Sequence, residues 1–353
     1  MWRKSTNALR FSAGLFLIQT GCKHHQDPAL ESWTEALPAV ETSETAGVSF
    51  LDISRLVELA RRNTDLPALA GGVLVGDSLL AMGVSGRRRS NDPEPAQITD
   101  KWHIGSITKS LTGTLTAVLI EEGVLSWDTT VGEVLEEDGV DPAWHSVTAL
   151  DLIRQRGGAP EPNLLWHQRG RTLDTKASEE RLKWALSDAL SEPPRTRDFH
   201  YTNGNATLLG TMIETLTGEE WEDLLRTRVF EPIGLTSAGF GAPHGRENPW
   251  GHRWTYSGPH PIMPGVYADN APLIGPAGTV HLSLPDLARY GQAHLQLARG
   301  ESDVWQGEAF TKLHTPPSDS DKRAYAAGWV IDERPFVDGA LIHHNGSNSY
   351  WYA

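Results

Sequence analysis

The order in which hydrophobic periodicities follow one another constrains this chain most. "LDISRLVELARR" (51–62) puts Leu51, Leu56, Leu59 and Ala60 at helical spacing, and Asn63-Thr64-Asp65 with Pro67 ends the run. "LAGGVLVGDSLLAMGVSG" then reads as two apolar strands turning at Gly76-Asp77-Ser78, residues suited to a hairpin. Ile107 to Gly123 is helical with a glycine stop, and "SVTALDLIRQRGG" adds another helix. "NATLLGTMIETLTGEEWEDLLRTRVFEPIGL" supplies two more, divided at Thr217-Gly218 and ended near Pro232. "YAAGWVID" and "ALIHHNGSNSYWYA" read as strands. Strands at both ends around a helical middle predict an α+β fold, in which an antiparallel sheet from both chain ends is flanked by helices and supports an inserted helical region.

The first 22 residues read as an export signal: Met1 to Arg10 is basic, Phe11 to Ile18 apolar, and Thr20-Gly21 supplies small residues before Cys22. The apolar run is too short to span a bilayer. Cys22, the only cysteine, resembles a bacterial lipidation site, with Gln19 where that box prefers Leu. The expectation is an exported chain, periplasmic or cell-envelope, attached to the membrane through lipidated Cys22. Residues 23–48 are polar, rich in Glu, Thr and Pro, and read as a flexible tether. His24-His25 lack the convergent ligands of a metal site. Residues 49–353 are left as the folded domain.

A formal net charge of -14 argues against a polyanion-binding face, so nucleic acid is not an expected partner and a small molecule is. Candidate chemistry starts at "WHIGSITKSLTG", where Ser106 and Lys109 stand three residues apart at the head of the helical run beginning near Ile107. Residues i and i+3 share a helix face, so the amine lies beside the hydroxyl near unpaired backbone N–H groups. A desolvated lysine with a lowered pKa can take a serine proton. Two later stretches offer further groups. "FHYTNGN" places Tyr201 and Asn203 before a helix, and "HHNGSN" places His344, Asn345 and Gly346 on an expected strand, followed by Ser347. Singly, Tyr201 fits a packed core aromatic, Asn203 a helix cap and His344 an ordinary strand histidine.

Taken in order, Ser106-x-x-Lys109, Tyr201-x-Asn203 and His344-Asn345-Gly346 resemble the three motifs of the serine β-lactamase and penicillin-binding-protein family, in its class C-like branch of β-lactamases, D,D-peptidases, D-aminopeptidases and esterases. "ITDKWHIGSITKSLTGTLTAVLIEEGVLSWDTTVGEVL" and "GPAGTVHLSLPDLARY" resemble family segments as well, so the similarity runs from about Leu51 to the last residue. The resemblance implies that Ser106 attacks a carbonyl and becomes acylated. Lys109 is then the proton acceptor or the charge that lowers the pKa of Tyr201. The N–H groups of Ser106 and Ser347 would form an oxyanion hole, Asn203 would bond the substrate amide or Lys109, and His344, Asn345 and Gly346 would line the substrate. It implies no cofactor and no metal, and a small-molecule or peptidoglycan-like substrate: an ester, a D-amino-acid amide or a β-lactam.

Three departures qualify the resemblance. His344 stands where a lysine usually attracts the substrate carboxylate, and a histidine is mostly neutral at pH 7. Gln155 and Gly157 replace a frequent His and Ser. The family's closing strands and C-terminal helix have no counterpart after Ala353, so the expectation is a C-terminally incomplete domain whose sheet ends in an aggregation-prone "SYWYA" edge. A second class of function therefore stands beside the hydrolase: a non-catalytic cell-envelope binding module, or an inactive truncated relative.

Overall fold

The computed structural model of the chain describes residues 13–20, 41–45, 48–76, 78–163, 176–265, 267–318, 324–334 and 340–353. Its main sheet takes strands from both ends of the chain: β1 (Ala13–Thr20), β2 (Glu41–Thr45), β3 (Val48–Asp52), β4 (Ala68–Val75), β5 (Ser78–Gly86) and, from the far end, β14 (Trp351–Tyr352). They lie in the order β14-β1-β4-β5-β3-β2. The expected hairpin forms its centre, with β4 and β5 antiparallel from Ala68 opposite Gly86 to Val75 opposite Ser78. Its two faces meet different helices, as a period of two requires. Val57, Leu66 and Leu69 cluster under α1 (Ser54–Thr64), whereas Leu74 packs with Ala288 and Leu295 of a long helix near the chain end.

The structure corrects the sequence reading in several places. The first helix begins at Ser54 rather than Leu51, because Leu51 and Asp52 end β3 and the Asp52 carboxylate accepts the Ser54 amide at 2.8 Å. The sheet is mixed: α1 carries the chain over so that β3 lies parallel to β5, Leu51 opposite Ala81. The stretch "ALIHHNGSNSYWYA" is not one strand, and His344, Asn345 and Gly346 are not on a strand at all. Ala340–His343 (β13) ends one residue early and the chain is irregular until β14. Glu41–Thr45, within the segment read as a tether, pairs with β3 as an outer strand whose Thr and Glu side chains suit an exposed edge. Cys22, His24, His25 and Asp77 lie outside the described residues. Of the segment read as an export signal, Ala13–Thr20 pairs with β4 along Ala13–Gln19 and with Trp351–Tyr352 at its end.

Three smaller sheets follow. β6 (Lys101–His103), β7 (Gly239–Phe240) and β10 (Val280–Ser283) form one; β8 (Gly251–Thr255) and β9 (Gly258–Ile262) form a hairpin; β11 (Ala324–Tyr325), β12 (Val330–Glu333) and β13 form the third. "YAAGWVID" is split because the chain turns at Gly328, whose φ is +86° and where a Cβ would come within 2.5 Å of the Lys109 carbonyl oxygen.

The helical middle holds α2 (Thr108–Glu121), α3 (Ala149–Ile153), α4 (Ala177–Trp184), α5 (Asn203–Thr217) and α6 (Trp221–Leu225), and α7 (Leu284–Arg299) is the long helix on the sheet. Thr148 and Asp151 close a capping box at the start of α3, and Gly218 at φ +72° ends α5 as the sequence predicts. α4, α5 and α6 are tied by one buried cation. Arg181 has no exposed surface and donates to Glu214 at 2.9 Å, to Glu222 at 2.7 Å and to the Pro272 carbonyl at 2.8 Å. Glu214, Glu220 and Glu222 converge as metal ligands could, and the guanidinium lies among them. Removing it strands buried carboxylates, so Arg181→Leu should cost about 3–5 kcal/mol in a urea titration. An unchanged midpoint would show that the cluster contributes nothing to stability.

Candidate active site

The Ser106 turn rests on β6 and β10. The Ile104 amide bonds the Val280 carbonyl at 3.0 Å, and the following residue, Gly105, has φ +52°. Two observations require glycine there: the left-handed backbone, and Ser347 N, only 2.1 Å from where a Cβ would stand. The Gly105 amide donates to His103 Nδ1 at 3.0 Å and its carbonyl accepts from Thr108 Oγ1 at 2.7 Å. Nε2 of the same histidine lies 2.8 Å from Asp269 Oδ1, close in distance without hydrogen-bond alignment. Ser106 is thus held in a short 3₁₀ turn, Gly105–Ile107, that leads into α2.

One turn on, Lys109 is fully buried, and its Nζ has three neighbours: Ser106 Oγ at 3.0 Å, Asn203 Oδ1 at 2.8 Å and the Ala277 carbonyl at 2.8 Å. Two of these oxygens only accept, so a neutral amine spends both its hydrogens on them and turns its lone pair toward the serine hydroxyl. The orientation of Asn203 is fixed by Glu161, which accepts from Asn203 Nδ2 at 2.7 Å and from its backbone N–H at 2.8 Å. An amide held by a carboxylate at its nitrogen must present its oxygen to Lys109. Burial lowers the Lys109 pKa from 10.5 to about 7, and the Glu161 charge opposes that fall.

Tyr201 lies on the loop leading into α5, with the Lys109 ammonium position 4.7 Å from its ring centroid. Although 41 % of the residue is open to solvent, burial raises its pKa to about 12, against the pull of a hydrogen bond with Ser106. The loop is held by Gln155, fully buried at φ +61°, whose Oε1 accepts from the Thr202 amide at 2.9 Å and whose carbonyl accepts from the His200 amide at 2.8 Å. The departure at Gln155 is therefore a support for the Tyr201 loop.

The third segment lies against the Ser106 turn. A Cβ on Gly346 would stand 1.8 Å from the Ile104 carbonyl oxygen and 3.0 Å from Ser106 N. The Gly346 amide and carbonyl both bond Ala353 at 2.8 Å, while Ser347 passes with its amide beside Gly105. His344 faces Tyr201 at 6.3 Å between ring centroids, and burial lowers its pKa to about 3, helped by the Lys109 charge. Asn345 and Ser347 are exposed.

The structure thus brings Ser106, Lys109, Tyr201, Asn203 and His344 together, with Gly346 and Ser347 closing over the turn; the Asn345 side chain is turned to solvent, and only its carbonyl takes part. Sequence reasoning missed Glu161, which stands in no motif, and Tyr325, whose ring packs edge-on to Tyr201 and His344. Trp351 is fully buried against His103 and donates to the Pro249 carbonyl, a core role.

A serine–lysine pair at a helix head, faced by a tyrosine and a glycine-bearing segment, defines a class of protein, and the comparisons give it a family. The model of the Beta-lactamase family matches residues 53–353, and the chain belongs to that family. It is 26% identical over 265 residues to the unguisins hydrolase ungD' of Aspergillus campestris, covering 69% of this chain and 48% of that one. It is 32% identical over 183 residues to penicillin-binding protein 4 of Amycolatopsis lactamdurans, covering 50% and 45%. The chain spans about half the length of these curated relatives. Among solved structures, the octameric penicillin-binding protein homologue of Pyrococcus abyssi superposes with a TM-score of 0.65 at 21% identity, over 84% of this chain and 71% of that one. A D-stereospecific amidohydrolase from Streptomyces sp. gives 0.61 at 20%, over 83% and 86%.

Because the Glu161 charge holds the Lys109 pKa up, Glu161→Gln should move the Lys109 titration to lower pH. Chemical modification of the lysine at graded pH reads this shift. A titration that stays in place, or moves up, would contradict the assigned electrostatics.

Proposed function

We propose that the protein is a serine hydrolase that transfers acyl groups through Ser106. The observation that carries this reading is the Lys109 amine, buried, near neutrality in pKa, and with two of its three neighbours able only to accept. In the proposed step, the Lys109 lone pair takes the Ser106 proton as Oγ bonds the substrate carbonyl carbon. The carbonyl oxygen becomes an oxyanion between the N–H groups of Ser106 and Ser347. Collapse expels the leaving group, which receives a proton relayed from Lys109 through the Tyr201 hydroxyl. Water then attacks the acyl-enzyme with the same groups acting in reverse. With its pKa raised, Tyr201 is a neutral phenol at pH 7 and suits the relay better than the role of base.

For substrate we infer a carbonyl compound without a carboxylate near the third segment, such as a neutral ester or an amide, rather than a penicillin. A neutral His344 offers such a carboxylate no charge, and Glu161 adds a negative one at the mouth of the site. The curated and structural relatives named as a hydrolase and an amidohydrolase support the reaction class. For location we propose export with lipid attachment at Cys22 and a small-molecule or peptidoglycan-like substrate in the cell envelope. Cleavage before Cys22 would remove β1 from between β4 and β14, so leader and sheet strand are exclusive roles for Ala13–Thr20. N-terminal sequencing of the mature protein decides between them.

A fluorophosphonate or an activated ester should leave its adduct on the Ser106 peptide, and Ser106→Ala should abolish labelling; an adduct on another serine would overturn the assignment. Lys109→Met or Tyr201→Phe should slow acylation on the order of a hundredfold. The acylation rate should rise with pH through about 7, as Lys109 loses its proton. A rate flat from pH 5 to 9 would exclude Lys109 as base.

A further inference from the structure

Third-segment histidines offer a substrate two ring nitrogens, and here both are already engaged. Nδ1 of His344 lies 2.6 Å from the Asn345 carbonyl oxygen, which can only accept, so Nδ1 carries the hydrogen. Nε2 lies 2.8 Å from the Tyr325 hydroxyl, which must then donate to it. Tyr325 comes from β11 and is only 6% exposed, with its ring edge-on to both His344 and Tyr201 at 5.7 and 5.9 Å. It is therefore built into the wall of the site rather than resting on it.

We infer that Tyr325 is a specificity-determining residue: by donating its hydroxyl to His344 Nε2 it occupies the nitrogen that would otherwise meet a substrate carboxylate, and it fixes this wall of the site as neutral. The inference rests on the acyl-transfer reading for its consequence and on geometry for its substance. Protonating His344 would place a hydrogen on Nε2 and force the Tyr325 hydroxyl to accept it. The phenol's own hydrogen would then have to find another acceptor in a buried position, and a buried donor left unmet disfavours that state. Lys109 from α2 and His343 from β13 push the same way by adding positive charge, the Asn345 carbonyl on Nδ1 opposes them, and Tyr201 and Tyr325 are neutral phenols.

Tyr325→Phe keeps the ring and removes only the donor. Two readouts on the full chain test the inference. In proton NMR of wild-type protein the His344 ring should not titrate above pH 5, and in the variant its titration should move to higher pH, because the neutral ring loses its donor, while burial and the Lys109 charge still hold it below the ordinary value of about 6.5. Hydrolysis is then compared for two para-nitrophenyl esters that differ only in a terminal carboxylate or carboxamide. The carboxylate-to-carboxamide ratio of kcat/KM should rise in the variant as pH falls from 7.5 to 5.5, by up to roughly tenfold, the scale of one screened ion pair, and stay flat in wild type. His344→Lys, with a permanent charge, should show the raised ratio at both pH values. Ordinary titration of His344 in wild type would overturn the inference, as would a variant with unchanged titration. If neither ester is turned over by wild type, the acyl-transfer reading fails, and the NMR titration still decides the role of Tyr325.

Discussion

A lysine amine without exposed surface is costly to keep charged, and the structure around Ser106 is organised by how that cost is met. Nζ of Lys109 has Ser106, Asn203 and the Ala277 carbonyl as neighbours, contributed by the 3₁₀ turn before α2, by α5 and by the short turn Gly275–Gly278. One atom thereby ties three separate parts of the fold. Its pKa falls from 10.5 to about 7 on burial. A group whose folded pKa is depressed in this way binds fewer protons in the native than in the unfolded state, so its contribution to stability improves as pH rises from about 7 toward 10.5. At neutral pH the native state therefore still bears part of the cost of an ionised Lys109, the expected trade of stability for a reactive group.

Close backbone contact is the second constraint. Gly105 and Gly346 face each other across the Ser106 turn, and a side chain on either would collide with backbone atoms of the opposing segment. This contact sets the Ser347 amide beside Gly105, the residue before the serine, and it is held from behind by the paired bonds of Gly346 to Ala353. From the other side, His103 and Thr108 secure the Gly105 peptide. The pocket wall opposite Lys109 is aromatic: Tyr201, Tyr325 and His344 pack ring against ring, which buries the imidazole and keeps it neutral.

Much of this was legible in the sequence, for identifiable reasons. The β4–β5 hairpin and the helices at 108–121 and 203–217 announce themselves by periodicity and by their glycine stops, and the three short motifs name five side chains that meet in space. What stayed hidden depends on contacts made far apart in the chain. Glu161 acts only because it reaches Asn203, 42 positions on. Tyr325 acts only because β11 returns beside His344. The strand expected at His344 is absent because Gly346 follows the Ser106 turn instead of a neighbouring strand, a preference that no local pattern encodes. The parallel pairing of β3 with β5 likewise follows from where α1 crosses, which periodicity does not specify.

Acyl transfer through Ser106 as proposed depends on the protonation state of Lys109. Selective labelling of lysine side chains with nitrogen-15, with Lys109→Met to assign the resonance, gives its titration directly in the folded protein. The expected midpoint is near 7 for this one lysine, against the ordinary lysine value of about 10.4. A Lys109 amine that remains charged to pH 9 would contradict it, because a cation has no lone pair to take the Ser106 proton.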